Sequence, residues 1–164
     1  MAPRLERGWI ETMSDESFDG AGLAGKTVGR CRLVAYLGAG GMGYVYRATH
    51  HTLGLPRAVK ILPAPTGPGA KSAIIRFARE AQQAAKVDHP NVVRVFDFGQ
   101  EAGLYYIEME FVQGHDLATQ LARRGSLPES ETLQIAVHAC DALTAAQAHR
   151  VIEALKDRLS YSVK

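Results

Sequence analysis

Leu37-Gly38-Ala39-Gly40-Gly41-Met42-Gly43-Tyr44-Val45 is the stretch on which the fold turns. It contains the pattern G-x-G-x-x-G-x-V, and the apolar runs Cys31–Leu37 and Tyr44–Thr49 flank it. Both runs are short, rich in strand formers and bounded by glycine, so they predict two strands joined by a glycine-rich hairpin. Glycines let backbone N–H groups approach a phosphate closely, where a Cβ would obstruct. Alone, the cluster fits a plain mobile hairpin tip equally well. A dinucleotide fingerprint is excluded, because that pattern opens a helix and this one opens a strand.

Downstream, Arg57–Leu62 predicts a third strand after the turn around Gly54 and Pro56. Within it Ala58, Lys60 and Leu62 share one face. A lysine between two apolar neighbours is costly to bury unless it meets an anion; the alternative is an edge lysine with its head in water. Prolines 63, 65 and 68 with Gly67 and Gly69 make the next stretch a loop. Ser72 is expected to cap a helix running to about Val87, with Ile74, Phe77, Ala78, Ala81, Ala84 and Ala85 recurring at helical spacing. Glu80 lies on or beside that apolar stripe, either paired with a cation such as Lys60 or left as a solvated boundary residue.

Asp88-His89-Pro90-Asn91 ends the helix, and strands Val92–Phe98 and Leu104–Phe111 follow, separated by the turn Gly99–Gly103. A short helix after Asp116 and a long one from Pro128 to Ala148 complete the pattern, the latter with Glu129 and Glu131 in its first turn. The order of elements is that of an α+β fold with an antiparallel sheet. Residues 1–25 mix glycines with scattered acids and show no period, so they are expected to be an unstructured tail.

The composition agrees with a globular domain: 164 residues, 46% hydrophobic and 22% charged. A net charge of +2 is too small to argue for nucleic acid. No apolar run approaches the roughly 18 residues of a membrane span, and no secretory leader is expected. Cys31 and Cys140 match no metal or disulfide spacing and are expected as buried or partly buried free thiols in a reducing cytoplasm. His50-His51 lacks partners at metal-ligand spacing.

The glycine hairpin, Lys60 and Glu80 in this order resemble the N-terminal lobe of the eukaryotic-like protein kinases, most closely the bacterial serine/threonine kinases. His89-Pro90-Asn91, the stretch Tyr105–Val112 and Gly114-His115-Asp116-Leu117 are similar to further family segments, so the resemblance spans Thr27 to Ile152. It implies a five-stranded antiparallel sheet with one helix, followed by the first helices of a C-terminal lobe. The implied layout is a tail over 1–26, the N-lobe over 27–113, the start of the C-lobe over 114–152 and a divergent tail over 153–164.

The resemblance also implies ATP as ligand. Gly38, Ala39, Gly40, Gly41 and Gly43 would cover its phosphates, and Leu37, Val45 and Ala58 would close on the adenine. Lys60, positioned by Glu80, would hold the α- and β-phosphates. Met109 matches the gatekeeper, and backbone groups of Glu110 and Val112 would bond the adenine edge.

The family pattern then stops. After His149-Arg150-Val151-Ile152, the expected His-Arg-Asp is replaced by Glu153-Ala154-Leu155. No Asp-Phe-Gly follows this point of the chain, so no catalytic residue and no ligand for the family's magnesium are assigned. The expectation is an ATP-binding member of the kinase family that is catalytically incomplete in this chain. The alternative is a non-enzymatic interaction module, or a truncated gene product, docking on a protein partner through the helices after Gly114.

Overall fold

The computed structural model describes residues 21–40, 43–62 and 68–148. They form two compact units, one comprising the chain up to Ala85 with Val95–Phe111, the other Lys86–Arg94 with the chain from Val112 onward.

The first unit is an antiparallel sheet of six strands: β1 (Thr27–Val28), β2 (Cys31–Gly40), β3 (Gly43–His50), β4 (Pro56–Leu62), β5 (Val95–Glu101) and β6 (Leu104–Glu110). Their order is β1-β2-β3-β4-β6-β5. One helix, α1 (Ala70–Ala84), packs beside it. The sheet has one strand more than the sequence predicts. β1 is only two residues long, too short to show a period, and exists through its pairing with Arg32 and Cys31. Gly29, at φ +56, makes the turn between them, and its N–H donates to Oε2 of Glu101 at 2.6 Å.

The expected tail also requires correction over residues 21–26. Ala21–Leu23 form a 3-10 turn and Leu23 is completely buried. The N–H of Gly25 donates to the carbonyl of Leu33, and the Lys26 carbonyl accepts from the Leu33 N–H in return. One large apolar side chain, with no period around it, is enough to recruit this segment to the core.

β5 lies three residues later than the sequence predicts. A turn in which the N–H of Val92 donates to the His89 carbonyl takes up the early residues. At the other end Glu101 pairs with Leu104 across the two-residue loop Ala102-Gly103, at φ 50 and 84. That geometry matches the twist of a hairpin, so turn chemistry sets the register. Helix α1 begins at Ala70 with Gly69 as N-cap and no side-chain cap, so Ser72 sits inside the first turn instead of capping it. It ends at Ala84, short of Val87.

Strand alternation divides the side chains between two faces. One face buries Leu33, Tyr46, Val59, Ile61 and Tyr106 together with Leu23, Val28 and Leu104. The other buries Leu62 and Ile107 against Phe77 and Ala81 of α1. The first face also holds an ion pair, Arg57 Nε to Glu108 Oε1 at 2.9 Å, with the Glu108 side chain only 4% exposed. Cys31 lies near it, and burial together with the Glu108 carboxylate pushes its thiol up to about 12. Cys140, by contrast, is exposed, contrary to the expectation that both thiols are buried or partly buried.

The second unit contains α2 (Leu117–Arg124) and α3 (Glu129–Ala148). Asp116 caps α2 by accepting the Thr119 N–H at 2.6 Å, which holds its carboxyl below the ordinary value. Arg124 forms a two-pronged pair with Glu131, both contacts 2.8 Å. No helix among the described residues is long and apolar enough to cross a membrane. The sequence features at 149–164, including Glu153-Ala154-Leu155, lie outside the described residues.

Candidate functional site

The sheet register brings the expected site residues into adjacent rows. Gly38 pairs with Val45, Val45 with Lys60 and Lys60 with Ile107, which makes one continuous row across four strands. Two residues along, Arg47 pairs with Ala58 and Ala58 with Met109. Both rows lie on the α1 face, because residues two apart in a strand point the same way.

Lys60 is 8% exposed, yet it carries a charge. A buried ammonium is tolerated only with a partner, and α1 supplies one. Its Nζ donates to Oε1 of Glu80 at 3.2 Å. The Phe77 ring, one helical turn earlier, lies 5.8 Å from the same nitrogen, within the range of cation–π attraction. The spacing of Phe77 and Glu80 places both on one side of the helix, so packing Phe77 into the core delivers Glu80 to Lys60.

The hairpin keeps its ladder as far as the pair Gly40–Gly43. Gly41 and Met42 lie outside the described residues. A register shift between Tyr36 and Gly38 leaves Leu37 52% exposed, and Ala39 is also exposed. A Cβ added at Gly38 would meet nothing within 4 Å, so there is open space at the end of the Lys60 row. Gly43 is different: at φ +133, an added Cβ would stand 2.1 Å from the carbonyl oxygen of Ile61. Glycine is required there by the close approach of β4.

Glu110 closes β6 and is exposed, whereas Val112 belongs to the second unit and is 62% exposed. Three features were not picked out from the sequence. One is the Arg57–Glu108 pair on the opposite face of the sheet. The second is Phe77 as a neighbour of Lys60. The third is the guanidinium of Arg47, 5.5 Å from the centre of the Phe111 ring. Strand parity with Val45 marks the face of Arg47, but its partner depends on how β6 ends.

A buried lysine in the same sheet row as the glycine hairpin, with Val45 between them, suits an anion such as a phosphate chain. Such donors suit the phosphates of a nucleotide. Magnesium is another matter: among the described residues no group of three or more His, Cys, Asp or Glu could hold a metal ion.

Residues 32–154 match the protein kinase domain family. The chain is 37% identical to the serine/threonine-protein kinase PrkC of Bacillus subtilis, over 79% of this chain and 20% of that protein. It is 38% identical to the serine/threonine-protein kinase pkn3 of Myxococcus xanthus, over 78% of this chain and 24% of that protein. It thus spans about a fifth to a quarter of the length of these relatives. The crystal structure of a point mutant of the Mycobacterium tuberculosis PknI kinase domain is similar, with a TM-score of 0.60 and 33% identity. That likeness covers 73% of this chain and 49% of the PknI chain.

Proposed function

The chain belongs to the protein kinase family, and from that premise we propose that its sheet binds ATP, the phosphate donor that the family uses to phosphorylate serine and threonine. One observation carries the reading: Lys60, buried and paired with Glu80 at 3.2 Å, stands in register with Gly38 and Val45.

Lys60 would hold the α- and β-phosphates, and Glu80 would fix its ammonium so that little order is lost on binding. Backbone N–H groups of the hairpin from Gly38 to Gly43, Ala39, Gly40 and Gly41 included, would face the phosphate chain. Leu37, Val45 and Ala58 would cover the adenine, with Met109 behind it and the backbone of Glu110 and Val112 along its edge. The proposed role of these residues is therefore to hold and orient nucleotide. Phosphoryl transfer to protein serine or threonine is proposed for the whole protein, where the proton-accepting and metal-holding groups of the family are supplied.

A second reading, a docking module, draws on α3, which leaves Leu133, Val137 and Leu143 exposed. The experiment that separates the two is thermal melting of the chain with and without millimolar ATP, magnesium being added separately. A ligand at a hundredfold excess over its Kd stabilises by about 2.7 kcal/mol. ATP is expected to raise the melt, and Lys60→Met to remove the shift while the melt stays cooperative. A melt indifferent to ATP would leave the docking reading, for which Lys60→Met would be silent and Leu133→Glu would abolish partner binding.

A further inference from the structure

Arg47 carries a charge that the phosphate-holding reading leaves unused. It follows Val45 by two residues on β3, so the two share a sheet face. Its register neighbours on that face are Ala35 and Ala58, and Met109 continues the row. Two alanines leave room for a long side chain to lie across the sheet. The guanidinium carbon stands 5.5 Å from the centre of the Phe111 ring, and Phe111 directly follows β6. The contact thus joins β3 to the end of β6, two strands that are not neighbours, across Ala58 of β4. A guanidinium over an aromatic face is attracted by the ring quadrupole.

Position decides what this cation serves. Gly38 and Lys60 lie in one row, while Arg47 and Ala58 lie in the next, two residues along each strand or about 7 Å away. A free cation at the Lys60 end would neutralise phosphate. A cation stacked on a ring beside Ala58 and Met109 stands at the base end instead. We infer that the Arg47–Phe111 stack is the outer wall of the adenine cavity and sets affinity for the base while leaving the phosphate end unaffected. This rests on the ATP-binding reading above.

The test uses the full chain and two ligands, ATP and inorganic tripolyphosphate, whose binding constants are measured by calorimetry. Arg47 is exposed, so Arg47→Ala should leave the ligand-free chain folded with a cooperative melt. By removing one wall of the base cavity it is expected to weaken ATP about two- to fivefold and to leave tripolyphosphate unchanged. Phe111→Leu, which keeps bulk but loses the ring, should reproduce the effect, and Arg47→Lys should recover part of it. Equal weakening of both ligands would make Arg47 a distant counter-ion of the phosphates and overturn the wall. Unchanged ATP affinity in Arg47→Ala would overturn it as well. Failure of the unaltered chain to bind ATP would instead remove the nucleotide reading, and the wall with it.

Discussion

Lys60 Nζ and Glu80 Oε1 lie 3.2 Å apart, joining the interior of β4 to the third turn of α1. The Lys60 side chain is 10% exposed and that of Glu80 22%, so the pair is shielded from water on the lysine side more than on the glutamate side. This asymmetry predicts different outcomes for the two partners. Glu80→Gln keeps an acceptor but loses the charge, and is expected to weaken ATP about tenfold, or about 1.4 kcal/mol. Lys60→Met removes the phosphate contact and should abolish detectable binding with the melt still cooperative, since the Glu80 side chain left behind is 22% exposed. Titration calorimetry together with the ligand-free melt checks both. Wild-type ATP affinity in Glu80→Gln would sink the positioning role.

The Arg57–Glu108 pair lies on the opposite face of the sheet, nearly closed from water. Arg57 also stacks over Phe96, its guanidinium carbon 4.1 Å from the ring centre. Removing one partner of such a pair leaves a charge uncompensated, so Glu108→Ala is expected to cost about 3–5 kcal/mol. The double change Arg57→Met with Glu108→Leu should be near neutral, because it removes both charges and fills the space. Urea unfolding of the unaltered chain and the two variants decides. A Glu108→Ala protein within about 1 kcal/mol of wild type, on the order of an exposed pair, would contradict the burial argument.

Gly43 and Gly54 both have positive φ, +133 and +66, but differ in their surroundings. A Cβ at Gly54 meets nothing within 4 Å, while one at Gly43 meets the Ile61 carbonyl at 2.1 Å. Gly54→Ala should cost about 1–2 kcal/mol, the conformational term alone. Gly43→Ala adds displacement of β4 and is expected to cost clearly more. Melting temperatures of the two variants measure the difference.

The two thiols should separate cleanly. Cys31 is buried and held protonated to about pH 12, whereas Cys140 is exposed. A thiol reagent at pH 8 should modify one cysteine in the native chain and two in denaturant. The sign of the linked stability follows from the raised value. The unfolded thiol loses its proton near 9.0, before the folded one does, so the unfolded state binds fewer protons and stability falls as pH rises from about 9 towards 12. The raised Tyr106 hydroxyl, buried near Asp97, acts in the same direction. Cys31→Ala should flatten part of that alkaline decline; an unchanged decline would exclude Cys31 as its source.

Much of this was legible in the residues themselves. The glycine pattern followed by a strand, Ala58-Val59-Lys60-Ile61-Leu62, and Glu80 on an apolar helical stripe determine the element order and the family, because strand parity and helical spacing are local properties. Chain pattern also places Lys60, Ala58 and Leu62 on one face without reference to any partner. What only the tertiary structure decided is what meets across elements. Leu23 enters the core from a segment without periodicity, and β1 exists only through its pairing with β2. The register of β5 follows from the Ala102-Gly103 turn, not from its apolar run. Arg57 finds Glu108, and Arg47 finds Phe111, because neighbouring strands fix a register that no single strand contains. Local sequence sets which way a side chain points; the folded sheet sets what stands opposite it.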